Sequence, residues 1–285
     1  MYYTYNRQHF HKDDEITIVP INDQIDIPLH NHDFHELVVV LAGHGYHITQ
    51  EEQYEVNSGD VFIIPPNQLH RYSDTNNLKL VNVMFWSNRI PLPCADFSEL
   101  SGFHALFSLE PKLRAKQGFE ARLKLTTDQL QLIEGIINSM RGELKERKLG
   151  YRSKVMIYFL NLVCELSRFY SSIESKSTRS MMRISRLLSY LEANYQKKIT
   201  MNDMTNLAKT STSSLNRFFL DILGVSPGKH LLLLRLKKAK ELILNSNHSI
   251  TEVAFFTGFN DSNYFSRQFK KVYRMSPKDY RSKSF

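Results

Sequence analysis

Residues Gly258–Tyr280 read GFNDSNYFSRQFKKVYRMSPKDY, and a variant of this stretch lies fifty residues upstream. Shifted by fifty, Arg217 aligns with Arg267, Phe219 with Phe269, Ser226 with Ser276 and Pro227 with Pro277. In both copies a short segment with an arginine leads to Ser-Pro, a helix cap followed by the residue best suited to the first helical position. A basic helix used twice at a fixed interval is what a two-armed reader of double-stranded DNA needs.

The surrounding hundred residues support a repeated unit. A first helix is predicted over about 181–194, burying Ile184, Leu187, Leu188 and Leu191. Thr200 can cap a helix over 201–208, with Met204 and Leu207 as its core positions. Ser211 can cap the next, which runs to Leu223 and stops at Gly224. A long helix follows from Pro227 to about Leu244. Ser249-x-x-Glu252 forms a capping box for a helix to about Phe256, Asp261 caps one through about Tyr273, and Ser276-Pro277 opens a short last helix. The two units are unequal: the downstream copy has the turn Gly258-Phe259-Asn260-Asp261, whereas the upstream copy has Thr205 and Lys209 ahead of its second helix.

Charge divides the chain in the same place. Of its 285 residues, 179–285 hold 19 Lys and Arg against 7 Asp and Glu, a net of +12. The rest, 1–178, holds 18 basic and 22 acidic residues, a net of −4. A basic third on a mildly acidic body is an electrostatic footprint for a phosphate backbone. The hydrophobic fraction of 42% is that of an ordinary soluble protein. No apolar run is long enough to span a bilayer, no signal sequence opens the chain, and Cys94 and Cys164 make no disulfide framework or zinc motif. A cytoplasmic protein without membrane contact is expected.

Upstream, Ile16–Phe85 reads as short strands broken by turns. ELVVVLAGHGYHITQ holds a β-branched run, then Gly43 and Gly45, then alternation; YEVNSGDVFIIPP and LKLVNVMF supply further strands. Such spacing predicts a jelly roll or related barrel. Within it lie His30, His32, His35, Glu36 and His70. Of these, the imidazoles of His30, His32 and His70 with the Glu36 carboxylate can bind a divalent metal, line a ligand pocket or hydrogen-bond one another. With Tyr46, Tyr72, Phe62 and Trp86 in the same region, the pocket would suit a small polyhydroxylated ligand, although aromatics at strand spacing also serve as core.

An irregular passage, Pro91–Gly118, precedes a change to helical periodicity. Thr127 or Asp128 can cap a helix whose stripe is Leu130, Ile133, Ile137, Met140 and Leu144. After Gly150 a second helix carries Val155, Phe159, Leu162, Val163 and Leu166. This pair packs on the barrel, forms a dimer contact, or does both on different faces. SSIESKSTRS, 171–180, is the expected linker. The organisation is thus a barrel over 1–125, a helical pair over 126–170, the linker, and a helical domain over 181–285.

Two resemblances sharpen these expectations. The spacing H-x-H-x3-E over His30, His32 and Glu36, then G-x5-P-x4-H over Gly59, Pro65 and His70, resembles the two cupin motifs, with Asn67 replacing a usual turn glycine. It implies a cupin-like barrel in which His30, His32, Glu36 and His70 can hold a divalent metal. Ser211-x3-Leu215-x-Arg217-x-Phe219, Arg235-Leu236-x2-Ala239 and Ile250-x2-Val-Ala254-x3-Gly258-Phe259, with NDSNYFSRQFKK and MSPKDYR, resemble the AraC family of transcriptional regulators. HNHDFHELVVV, Gly59–Tyr72 and LKLVNVMF look most like its L-rhamnose-responsive members.

The fold implied is a multidomain α+β chain: a cupin-like sensor barrel, a helical dimerisation segment, and an all-α domain of two helix-turn-helix units. Thr212, Ser213, Asn216 and Arg217 of the first recognition helix, and Ser262, Asn263, Ser266, Arg267 and Lys270 of the second, are the expected DNA contacts. Arginine can pair with guanine and asparagine with adenine in the major groove. The expected function is a sugar-responsive activator, not an enzyme, which binds double-stranded DNA as a homodimer and acts on RNA polymerase. His30, His32, Glu36, His70, Tyr46 and Trp86 would line its effector pocket, for a sugar such as L-rhamnose. The alternatives are a metal-dependent cupin enzyme with a DNA-binding tail, and a constitutive regulator whose barrel only dimerises.

Overall fold

A computed structural model of the chain describes residues 3–5, 10–11, 14–50, 52–86, 90, 99–117, 122–173 and 179–282. Its contacts divide into two compact units, Met1–Ser185 and Arg186–Phe285. Cys94 and residues 174–178 of the expected linker lie outside the described residues.

The first unit is built on one mainly antiparallel sheet. Its strands are β1 (Tyr3–Tyr5), β2 (Ile16–Ile21), β3 (His30–His32), β4 (His35–Thr49), β5 (Gln53–Asn57), β6 (Asp60–Ile64), β7 (His70–Phe85) and β8 (Leu123–Lys124). The pairing order is β1-β3-β7-β4-β6-β8, with β2 also on β7 and β5 also on β4. Two strands are far longer than the short ones expected: β4 has 15 residues and β7 has 16. They stay continuous because bulges between Val40 and Tyr46 bend the ladder without ending it. Gly43 sits at such a bulge with φ of 73°, where a Cβ would lie 2.1 Å from the carbonyl oxygen of Asn77. Inside, Val38, Val40, Val56, Phe62, Ile64, Tyr72, Leu78 and Leu80 form one buried cluster.

Helices cover the other face. The passage expected to be irregular is helical from Ser101 to Gln117: α1 (Ser101–Phe103), a π-helical turn over His104–Leu109, and α2 (Glu110–Gln117). Pro111 hid this, because a proline lacks the N–H that a continuous helix uses. Gly102 gives α1 its close approach to α4 (Tyr151–Ser171), since a Cβ there would lie 1.8 Å from the carbonyl oxygen of Ser167. α3 (Thr127–Glu146) is capped by Thr126 in a capping box with Gln129, one residue before the caps expected. Ile133, Ile137 and Met140 are buried, as are Val155, Phe159, Leu162, Val163 and Leu166 of α4. Lys154 bonds Glu143 at 2.6 Å between the two helices.

α5 (Arg179–Asn194) contains the division between the two compact units. Met181 near its start packs under Tyr170, whose hydroxyl is 3.9 Å from the sulfur. In the second unit follow α6 (Met201–Ala208), α7 (Thr212–Phe218) continued by a π-helical Phe219–Leu223, α8 (Pro227–Asn245), α9 (Ile250–Phe256), α10 (Ser262–Tyr273) and α11 (Pro277–Ser282). Thr200, Ser211, Ser226, Ser249 and Asp261 cap their helices as expected. One core expectation fails: Leu207 is 39% exposed, and Ala208 takes the buried position beside Met204. Among the described residues, no helix is long and apolar enough to cross a membrane.

Candidate functional site

The repeat is three-dimensional. Leu215 and Phe265, fifty residues apart, are both fully buried, and so are Phe219 and Phe269. Gly224 and Arg274 both end their helices in the left-handed conformation, with φ of 75° and 60°. Two arginines brace the units in a parallel manner. Arg235 donates to the carbonyls of Tyr195 (2.7 Å) and Lys197 (2.8 Å), and Arg281 to those of Ile243 (3.3 Å) and His248 (2.7 Å). Each guanidinium thereby satisfies carbonyls at or just after a helix C-terminus.

The apolar anchors fix which side chains face outward. On α7, Thr212, Ser213 and Arg217 are exposed and Asn216 is half-buried. On α10, Asn263, Arg267 and Lys270 are exposed, and Ser262 and Ser266 are half-buried. Among the described residues neither Arg217 nor Arg267 has an ion pair, so internal carboxylates do not hold these guanidinium groups. Tyr264 is 42% exposed on the first turn of α10, beside Asn263. Sequence reasoning passed over it because its neighbour Phe265 carries the core position.

In the barrel the structure brings together three of the four proposed metal ligands. Donor atoms of His32, Glu36 and His70, all buried, lie within 4.8 Å of one another. His30 is outside that set, although its ring centroid is 4.2 Å from that of His70. Each of the three histidines places Nδ1 on a backbone carbonyl: His30 on Pro28 (3.1 Å), His32 on Phe34 (2.8 Å) and His70 on Gln68 (3.1 Å). Nδ1–H donation of this kind puts the lone pair of a neutral imidazole on Nε2. His32 Nε2 approaches Glu36 Oε2 at 2.9 Å without the alignment of a hydrogen bond and is otherwise an orphaned buried nitrogen. Burial pushes His70 down to about 3, and burial also lowers His30. Burial would raise Glu36, but contact with His32 and the charges of His32, His70 and His30 pull it below the usual carboxylate range. Contact with the imidazole rings thus outweighs burial and favours the ionised form of Glu36.

Two proposed pocket residues stand elsewhere. Tyr46 is 36% exposed, because strand alternation sends His44 and Tyr46 outward and His47 inward. Trp86 packs 3.9 Å from Phe10 and edge-on to Phe34, which in turn stacks on His32 at 4.3 Å. It therefore buttresses the histidine from behind. His47 takes the inward place: its ring lies 5.4 Å from His70, 5.1 Å from Tyr72 and 5.2 Å from Phe62, and the Tyr54 hydroxyl bonds its Nδ1. The alternation of HGYHIT could have marked His47; nothing local marked Tyr54.

An AraC-like ligand binding domain matches residues 14–152, and a helix-turn-helix domain matches residues 204–283. The HTH-type transcriptional activator RhaS of Escherichia coli O139:H28 (strain E24377A / ETEC) is 30% identical over 266 residues, covering 93% of this chain and 91% of its own. The chain belongs to the AraC family. RhaS of Escherichia coli O1:K1 / APEC is 29% identical over the same shares. A solved AraC-type DNA-binding regulator from Chromobacterium violaceum is 27% identical, covers 37% of this chain and 94% of its own, and has a TM-score of 0.35. As an AraC-family regulator the protein binds DNA through its second unit, and the buried histidine cluster falls inside its ligand-binding domain.

Proposed function

We propose that this AraC-family protein is a cytoplasmic, sugar-responsive activator that binds an effector in the barrel without turning it over. The carrying observation is the convergence of His32, Glu36 and His70 with His47 and Tyr54 on one buried polar centre inside an apolar sheet. A buried polar centre costs stability unless something pairs with it. Hydroxyl groups of a sugar supply such pairs, and kinship with an activator named RhaS makes L-rhamnose the first candidate. Thr212, Ser213, Asn216, Arg217, Ser262, Asn263, Ser266, Arg267 and Lys270 would meet DNA, and the bound protein would recruit RNA polymerase. Binding of an operator fragment is to be measured with and without L-rhamnose; unchanged affinity with a sugar that demonstrably binds would sink the switching mechanism.

A dimer is part of this proposal. Ile157 of α4 is 63% exposed, and with Leu160 and Cys164 it makes a stripe at i, i+3 and i+7.

The donor set also supports a second reading, a resident divalent metal. The orphaned Nε2 of His32 and the three-donor cluster with His70 and Glu36 fit such an ion, which would act as a Lewis acid toward a ligand oxygen. Purified protein should then carry one equivalent of metal, lost in His32→Ala; metal-free protein that still binds sugar would remove this reading.

A further inference from the structure

Asn82 stands in the middle of β7, in a run where its strand neighbours are all apolar. It is 5% exposed, and among the described residues its Oδ1 has no hydrogen-bond partner. The register fixes where it points. Asn82 opposes Val38 on β4 and Val19 on β2, while Leu80 opposes Val40 and Met84 opposes Glu36. Val38, Val40 and Leu80 belong to the inner apolar cluster, and Met84 packs with Phe34 and Val19. Alternation therefore puts Asn82 on the same inner face as Glu36, as its diagonal cross-strand neighbour at about 7–8 Å.

An unpaired amide oxygen at this depth destabilises the fold, and the inner side chains that directly flank it, Val38, Val19, Leu80 and Met84, are apolar. Its retention calls for a partner that arrives from outside. The chemistry of that partner is restricted. Asn82 Oδ1 is an acceptor, and the Glu36 carboxyl group offers two more oxygens on the same face, so a ligand that bridges them can bring two donors. One hydroxyl has a single proton and cannot serve both.

We infer that Asn82 and Glu36 form a diol-recognising subsite, in which two neighbouring hydroxyls of a sugar ring donate one hydrogen bond each. Val38, Leu80 and Met84 supply the apolar surface for the C–H edge of the ring. The inference rests on the sugar-responsive reading and deepens it by naming a specificity residue.

The test uses full-length protein and isothermal titration with L-rhamnose, L-mannose, L-fucose and L-arabinose. Asn82→Leu, similar in shape but without the amide, should melt at or above the wild-type temperature in the absence of sugar. It should bind whichever sugar the wild type binds about tenfold or more weakly. Asn82→Ala, which adds no volume, supplies the same binding readout should leucine overfill the site. If a sugar binds the wild type and both variants within twofold, the subsite is overturned and the effector reading stands. A fall in melting temperature for Asn82→Leu with unchanged affinity makes Asn82 a packing residue and equally overturns it. Should none of the four sugars bind the wild type, the effector reading falls and the subsite with it.

Discussion

Lys209 shows how a residue other than glycine can hold a left-handed turn. It follows α6 with φ of 47°, in the left-handed region where a side chain costs about 1–2 kcal/mol. The second helix-turn-helix uses Gly258 for the same job, with φ of 84°. Lys209→Gly should therefore stabilise the protein by about 0.5–1 kcal/mol, the entropy of a glycine in the unfolded chain offsetting part of the relief. Thermal melting without DNA checks this; an unchanged or lower melting temperature would show that Lys209 makes a compensating contact. Arg267 poses a different question at the same scale. Exposed and outside any internal ion pair, it is aligned with Arg217 by the repeat. Arg267→Ala should cost about 1–3 kcal/mol of operator binding, with relaxed preference at one base pair. A uniform loss across sequences, with a smaller salt slope, would instead make it a phosphate contact.

At the scale of elements, α4 has two faces with different work. Val155, Phe159, Leu162 and Val163 are buried within the first unit, and the stripe through Ile157 is the face proposed to meet a second copy. Ile157→Glu should leave the melting temperature within a few degrees, because the residue is already 63% exposed, and should convert a dimer to monomer in analytical ultracentrifugation. A variant that stays dimeric would place the contact elsewhere. The same helices show what the sequence disclosed and what it hid. Caps are local chemistry, so Ser211, Ser226, Ser249 and Asp261 were legible, and so was the repeat. The helix over Ser101–Gln117 was not, because Pro111 masks its period and its docking depends on Gly102 meeting Ser167, 65 residues away. In the barrel, motif spacing identified His32, Glu36 and His70, whereas Tyr54 and Asn82 acquire meaning only through the pairing of β4 with β5 and β7. Tyr46 misled because bulges and alternation, not composition, decide which side of a strand faces in.

Under the proposed switching mechanism the whole molecule must convert occupancy of the barrel into a change at α7 and α10, and thermodynamics restricts how that can look. A sugar can shift the DNA-binding equilibrium only by its difference in affinity for the two states. Couplings of this kind are typically about 1–3 kcal/mol, or roughly 5–150-fold. The linkage is reciprocal: if L-rhamnose tightens operator binding by some factor, saturating operator DNA must tighten L-rhamnose binding by the same factor. Titrating sugar into free protein and into the protein–DNA complex, at one salt concentration, measures both sides of the cycle. Salt must be held fixed because phosphate contacts make DNA affinity steeply salt-dependent. Equal factors are expected for direct allosteric coupling within one chain. If sugar changes DNA binding while DNA leaves sugar affinity untouched, the cycle does not close over these states, and a change of assembly must be carrying the signal. Repeating both titrations with Ile157→Glu then locates it: coupling that survives in the monomer belongs within the chain, and coupling that vanishes belongs to the dimer.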